Sequence, residues 1–185
     1  MIKLIIDAGH GWFTKGKESL FHRITFGIFK GKPIIRENNV NEAVANKISV
    51  LYEDSVFISN EWQDISLTER VRREHKEATF DSLFLSIHAD AYTKKDKAHG
   101  GRIYYYGEEG KKLAYYLTKG LKEMGYPIKL REPKRANFYV LKHTQSRAIL
   151  FELAFMTTKD EVDILMMEEF RNKVAKDLVT LIKQI

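Results

Sequence analysis

The stretch Ile2-Lys3-Leu4-Ile5-Ile6-Asp7-Ala8-Gly9-His10-Gly11 decides the fold. Its apolar run, Ile2–Ile6, reads as a short buried strand that begins at once and ends in a titratable cluster. Two further runs repeat the pattern. Leu83–His88 is a buried strand that ends in Ser86-Ile87-His88-Ala89-Asp90, and Ala148–Phe151 runs straight into Glu152. Between them lie helical patterns. Val40, Val44, Ile48 and Leu51 mark one face of a helix over 38–52, with Asn38 or Asn39 as its cap. Ser66 and Glu69 form a capping box for a helix that runs to about Ala78. Leu113, Tyr116, Leu117, Leu121 and Met124 make a third face, stopped by Gly125 and Pro127, and Phe170, Val174, Leu178 and Ile182 a C-terminal one. Val56–Ile58, Arg102–Tyr106 and Phe138–Leu141 complete the strands, and a hairpin is expected around Gly31-Lys32-Pro33. Strands alternating with helices predict an α/β fold with a largely parallel sheet.

At 185 residues the chain has the length of one domain, and residues 1–185 are read as such. With 44% apolar and 30% charged residues, 11 Gly and 3 Pro, it has the composition of a globular domain and no room for a flexible linker. The absence of cysteine excludes disulfides, thiolate zinc fingers and a cysteine nucleophile. No run of about 18 apolar residues is present, so no membrane insertion is expected. The first residues are too soon polar for a signal peptide, which predicts a chain made in the cytoplasm without one. The net charge of +6 favours anionic partners such as nucleic acid, lipid or cell wall without choosing among them.

In parallel sheets ligands gather beyond the carboxyl ends of the strands. That rule brings His10, His88 and Glu152 to one sheet edge. Two histidines and a carboxylate make a zinc site with an open fourth position. There is no H-E-x-x-H, so the ligands have to be assembled by the fold. Two glutamates compete for the carboxylate role. Glu42 lies about 200° around the helix from Val40 and is expected to face solvent. Glu37 precedes the helix, on the loop leaving Ile34-Ile35, and is the preferred ligand. Asp7 and Asp90 either orient the histidines or cap turns.

These segments together resemble the zinc-dependent N-acetylmuramoyl-L-alanine amidases of the type-3 family. Asp7-Ala8-Gly9-His10-Gly11 resembles the family's first histidine motif, and Arg36-Glu37 with Asn41 its glutamate segment. Leu67-Thr68-Glu69-Arg70-Val71 resembles L-x-E-R-V, and Ser86-Ile87-His88-Ala89-Asp90-Ala91 resembles S-I-H-A-[DN]-A. Gly100-Gly101 leading into Tyr104–Tyr106 is similar to the strand that follows, and Ile149–Thr157 to the terminal glutamate motif, with Ala154 where glycine is common. The resemblance spans nearly the whole chain. It implies a mixed sheet of about six strands flanked by helices. It implies His10, Glu37 and His88 as zinc ligands and Glu152 as the catalytic carboxylate. The implied reaction is hydrolysis of the amide between N-acetylmuramic acid and L-alanine. The implied partner is peptidoglycan, met by a monomer of the phage-lysin type after release from the cell.

In that chemistry zinc polarises the carbonyl and activates water, while Glu152 takes a proton and hands it to the leaving nitrogen. The competing readings are a wall-binding module of the same fold without catalysis, and a nucleic-acid-binding domain. The first has no need of Glu152, and the second lacks a basic-aromatic recognition motif. Gly11–Glu18 nearly spells a phosphate-binding loop, but Glu18 stands where Ser or Thr would hold magnesium. His75 is expected to be structural. His99 and His143 are candidates for the cleft wall, and at least one tyrosine of 104–106 must face the core.

Overall fold

The computed structural model describes residues 2–10, 36–61, 63–94 and 96–185. The hairpin at Gly31-Lys32-Pro33 and the phosphate-loop look-alike at 11–18 lie outside these residues. Six strands form one sheet: β1 (Lys3–Ala8), β2 (Ser55–Phe57), β3 (Ser82–Asp90), β4 (Arg102–Tyr105), β5 (Lys134–Arg135) and β6 (Arg147–Phe155). Their order is β2-β1-β3-β6-β4-β5, and every pair is parallel except β4 with β6. The sheet is therefore mixed and largely parallel, as expected.

The continuous apolar runs belong to the strands covered on both faces. β1, β3 and β6 are buried along almost their whole length. β4 alternates half-buried and buried residues, and the two-residue edge strand β5 is exposed. Helices α1 (Glu37–Leu51), α3 (Glu108–Glu123), α5 (Lys159–Met166) and α6 (Glu168–Ile182) cover one face, and α2 (Leu67–Glu77) and α4 (Tyr139–His143) lie on the other. The larger core takes Leu4, Ile6, Leu85, Ile87 and Phe151 from the sheet; the smaller takes Ile5, Phe84, Ala148 and Leu150. Because side chains alternate along a strand, this division fixes everything else. Asp7, Ser86, His88 and Glu152 emerge on the α2/α4 face beyond the point where the smaller core ends, and Tyr104 packs against that core.

Four local expectations are corrected. Phe138–Leu141 is not a strand: Tyr139–His143 form a helical turn in which neighbouring Val140 and Leu141 are both buried. A short apolar run cannot be assigned by periodicity alone, and here Thr144 closes the turn by donating to the Val140 carbonyl at 2.7 Å. Asn38 and Asn39 do not cap α1. Arg36 occupies the cap position and its side chain makes no capping hydrogen bond, and both asparagines are helical. Glu37 accordingly is not a loop residue but the first residue of α1. The Ser66 cap is present, its hydroxyl accepting from the Glu69 N–H at 3.1 Å. The reciprocal half is absent, since the Glu69 carboxylate pairs with Arg72 and Arg73 instead.

Candidate metal centre and catalytic cleft

β1 delivers His10 two residues beyond its last pair. The Gly9 N–H donates to the Ile87 carbonyl at 2.9 Å, after which the chain turns through His10 at φ 64°. That left-handed backbone is uncommon for a residue with a side chain and marks a conformation imposed by its surroundings. The surroundings are polar. Arg70 from α2 donates to the Ala8 carbonyl at 2.6 Å, Asn41 from α1 donates to the Gly9 carbonyl at 3.1 Å, and the Ser59 hydroxyl accepts from the Ala8 N–H at 2.8 Å.

α1 delivers Glu37. Its carboxylate is fully buried in the first helical turn, where the helix dipole favours negative charge. One oxygen lies 3.1 Å from His88 Nδ1 and accepts from the Ala89 N–H at 3.3 Å and the Asn41 amide at 3.4 Å. The other lies 3.3 Å from His10 Nε2. The imidazole rings of His10 and His88 meet edge to face, centroids 5.9 Å apart. His10, Glu37 and His88 thus offer three ligand atoms all within 4.8 Å of one another. Donors that share one zinc ion at bonds of about 2.0–2.2 Å lie within roughly 4 Å of one another, and the contacts of the two histidines to Glu37, one to each of its oxygens, fall within this. Two imidazoles and a carboxylate are also the right donor chemistry. Glu42 is half-buried on the next turn and does not join the cluster.

Gly9 is required by this packing. A Cβ there would stand 2.1 Å from His88 Cε1 and 2.3 Å from its Nδ1. Electrostatics divide the two histidines. Burial pushes His10 below its ordinary pKa, and the Glu37 carboxylate only partly offsets it. Burial also works against protonated His88, but the Glu37 hydrogen bond and the charges of Glu152, Glu37 and Asp7 outweigh it, and its pKa rises.

β6 delivers Glu152. The register pairs it with His88 on β3 and with Arg102 on β4, so the three side chains share one row across the sheet. Glu152 is 6% exposed and lines a cleft of about 730 Å³ together with Asp7, His10, Asp64, Ser66, Arg70, His88, Asp90, Tyr104, Phe138, Tyr139 and Leu150. The cleft therefore joins His10 and His88 of the candidate metal cluster to a carboxylate that is not part of it.

The choice left open for Asp7 is resolved against the histidines. It pairs with the buried Arg70 guanidinium and accepts from the Ser86 hydroxyl at 2.7 Å. Arg70 also donates to Asp64 at 2.8 Å. Asp90 accepts from the Ala91 N–H at 2.7 Å, a turn contact, while also lining the cleft. His75 is structural, its Nε2 being 2.7 Å from the His143 carbonyl. His99 is exposed and His143 stacks on Tyr139; neither lines the cleft. Tyr104 does, while Tyr105 faces the core. The residues whose positioning role the sequence reading passed over are Arg70 and Asn41. Both fall inside quoted motifs; Arg70 is one of three arginines on the strongly polar helix α2, so its composition did not single it out.

Comparison with known proteins gives the same assignment. Residues 4–184 match the N-acetylmuramoyl-L-alanine amidase family. The chain is 28% identical over 180 residues to YqiI, an uncharacterized Bacillus subtilis protein, covering 94% of this chain and 80% of that one. It is 32% identical over 188 residues to the endolysin of Bacillus phage SPP1, covering 95% of this chain and 63% of that protein. The fold is shared with the catalytic domain of CwlV, an N-acetylmuramoyl-L-alanine amidase from Bacillus (Paenibacillus) polymyxa var. colistinus. That likeness has a TM-score of 0.84 at 24% identity and covers 100% of this chain and 97% of that one. With its motif residues drawn together at one end of this sheet, the chain belongs to the N-acetylmuramoyl-L-alanine amidase family.

Proposed function

We propose that the protein is a zinc-dependent hydrolase of peptidoglycan that cleaves the amide between the lactyl group of N-acetylmuramic acid and L-alanine. His10, Glu37 and His88 hold the zinc, and Glu152 is the acid–base carboxylate. The observation that carries the reading is the cross-strand pairing of Glu152 with His88, which sets a carboxylate in the cleft beside the three-ligand cluster.

When bound, the ion supplies Lewis-acid polarisation and water activation. The remaining chemistry belongs to the side chains. Glu152 accepts a proton from the attacking water and returns it to the nitrogen as the C–N bond breaks, so the peptide departs as a neutral amine. Glu37 is held by Ala89 and Asn41, which fixes the carboxylate that the two histidines share. Arg70, neutralised by Asp7 and Asp64, holds the Ala8 carbonyl and with it the approach to His10. A module that only binds wall material needs neither the ligand cluster nor Glu152.

As a peptidoglycan hydrolase of the endolysin type, the protein acts on the wall after leaving the cytoplasm. Among the described residues no helix is long and apolar enough to cross a membrane. The reaction is tested by mass spectrometry of digested peptidoglycan. Release of stem peptides with a free L-alanine N-terminus, leaving glycan with intact muramic acid, is expected. New reducing sugar ends, or cuts only within the peptide, overturn the reading.

A further inference from the structure

The row that joins His88 to Glu152 continues to Arg102. Arg102 stands one strand beyond the acid–base carboxylate, on the same face, with its guanidinium 5.9 Å from the ring centre of the cleft residue Tyr104. A second arginine lies alongside. The Arg131 N–H donates to the Gly101 carbonyl at 2.9 Å, which fastens it next to Arg102, and its guanidinium packs 4.7 Å from the ring centre of Phe155.

Neither arginine has an ion pair or a side-chain hydrogen bond among the described residues, although Arg102 Nε and Arg131 Nε and Nη2 are buried. Burial together with the charge of Arg102 pulls the Arg131 pKa down, against the weaker pull of Tyr104, Asp90 and Glu161. Buried donors are almost always satisfied, and two adjacent guanidinium groups repel. Arg102 and Arg131 are half-buried; the fully buried arginine on this face, Arg70, has two carboxylates. The pair at Arg102 and Arg131 is built like a site for an anion that the protein itself does not supply.

We infer that Arg102 and Arg131 form a subsite for a carboxylate of the stem peptide, one or two residues beyond the scissile amide. The inference rests on the proposed amidase reading for the direction in which the substrate lies. A proton donor to the leaving nitrogen must touch that nitrogen, so the peptide leaves the metal on the Glu152 side. Adjacent strands are about 4.8 Å apart, and an extended peptide advances about 3.3–3.6 Å per residue. One to two residues past Glu152 therefore reach Arg102. Acidic stem peptides carry a carboxylate there, next to the γ-linked amide.

The test uses the full chain and two probes, the tripeptide L-Ala-γ-D-Glu-L-Lys and its D-Glu α-carboxamide. Binding is measured by calorimetry or NMR titration, and hydrolysis on the matching N-acetylmuramoyl conjugates. The acid is expected to bind roughly 10–100-fold more tightly than the amide, the range of a charge-assisted pair. In Arg131→Gln and Arg102→Gln the two probes converge, through the acid alone, while Arg131→Lys keeps part of the preference. Zinc content and melting temperature show whether either variant is folded; should Arg102→Gln not fold, Arg131→Gln carries the test. Equal binding of the two probes by the wild type, or an undiminished preference in folded Arg131→Gln, overturns the subsite. A preference for the acid without hydrolysis of either conjugate upholds the subsite and overturns the amidase reading instead.

Discussion

The approach of His88 to Gly9 makes Gly9→Ala a sharp test of the metal site. The added methyl would lie 2.1, 2.3 and 2.6 Å from Cε1, Nδ1 and Nε2 of His88, where ordinary contact begins at about 3.4 Å. The ring must retreat by roughly 1.3 Å. That breaks its 3.1 Å contact with Glu37, and zinc–ligand distances tolerate only about 0.2 Å. The backbone is no obstacle, because Gly9 is not among the residues with positive φ. The cost to the metal-free fold is thus that of modest overpacking, about 1–3 kcal/mol. For a chain of this length that lowers Tm by roughly 2–4 °C per kcal/mol. The cost to the metal is larger. Disturbing a residue that merely orients a ligand weakens binding about 10–100-fold. Displacing one of three ligands should exceed this, so a loss of about 100-fold or more is expected. Competition against a chromophoric zinc chelator measures the affinity, and melting of the chelator-treated protein shows that the fold persists. A Gly9→Ala protein that keeps one zinc per chain with wild-type affinity would refute the assignment of His88 as a ligand.

Other substitutions separate the remaining roles. Glu152→Gln should retain fold and zinc and lose about 10²–10⁴-fold in turnover, whereas His10→Ala should lose the metal too; zinc content beside rate for both variants decides it, and a fully active or zinc-free Glu152→Gln would show that its role is misassigned. Glu74, fully buried on α2, accepts from the N–H groups of Gln145 at 3.1 Å and Ser146 at 2.9 Å just before β6. Glu74→Ala should therefore cost about 1–3 kcal/mol in urea unfolding while leaving zinc affinity intact; unchanged stability would mean that water replaces the acceptor. The net charge of +6 should speed encounter with anionic wall, so lysis of whole walls should fall as salt is raised from low to physiological strength, and a flat response would dismiss electrostatic steering.

The parts of the fold legible in the sequence are those where one strong signal acts alone. β1, β3 and β6 are buried on both faces and read as unbroken apolar runs, with His10 just beyond β1 and His88 near the end of β3; Glu152, expected at a strand end, lies inside β6, which runs on to Phe155. The faces of α1, α3 and α6 follow a clear helical period. What failed was short or was decided by distant partners. α4 is five residues long, so its apolar pair looked like a strand, and β5 is a two-residue edge. The sequence prefers Glu37 over Glu42 as a loop carboxylate; in the structure Glu37 approaches both histidines from the first turn of α1, and Glu42 does not join them. Arg70 is one of three arginines on the polar helix α2; its partners Asp7 and Asp64 are 63 and 6 residues away, and only the folded sheet brings Asp7 to it.

Two buried glutamates reach this site, and the structure gives a physical reason why they should not be interchangeable. Glu37 lies in the first turn of a helix, is fully buried, and accepts from a backbone N–H and an amide. Each of those donors favours the ionised form and removes a degree of freedom, which suits a ligand that must stay anionic and still. Glu152 comes from the middle of a strand and faces the cleft, in the same transverse row as His88 but outside the 4.8 Å cluster. A proton carrier has to be reached by water and by the leaving nitrogen, and it has to exist in both protonation states within one turnover. Placement on the cleft wall gives access, and its position outside the three-residue cluster would keep it from being captured as a fourth ligand of the proposed metal. The alternation of side chains along β3 and β6 achieves both at once. It puts His88 and Glu152 on one face as cross-strand neighbours, while Glu37 enters from the end of the sheet on a separate element.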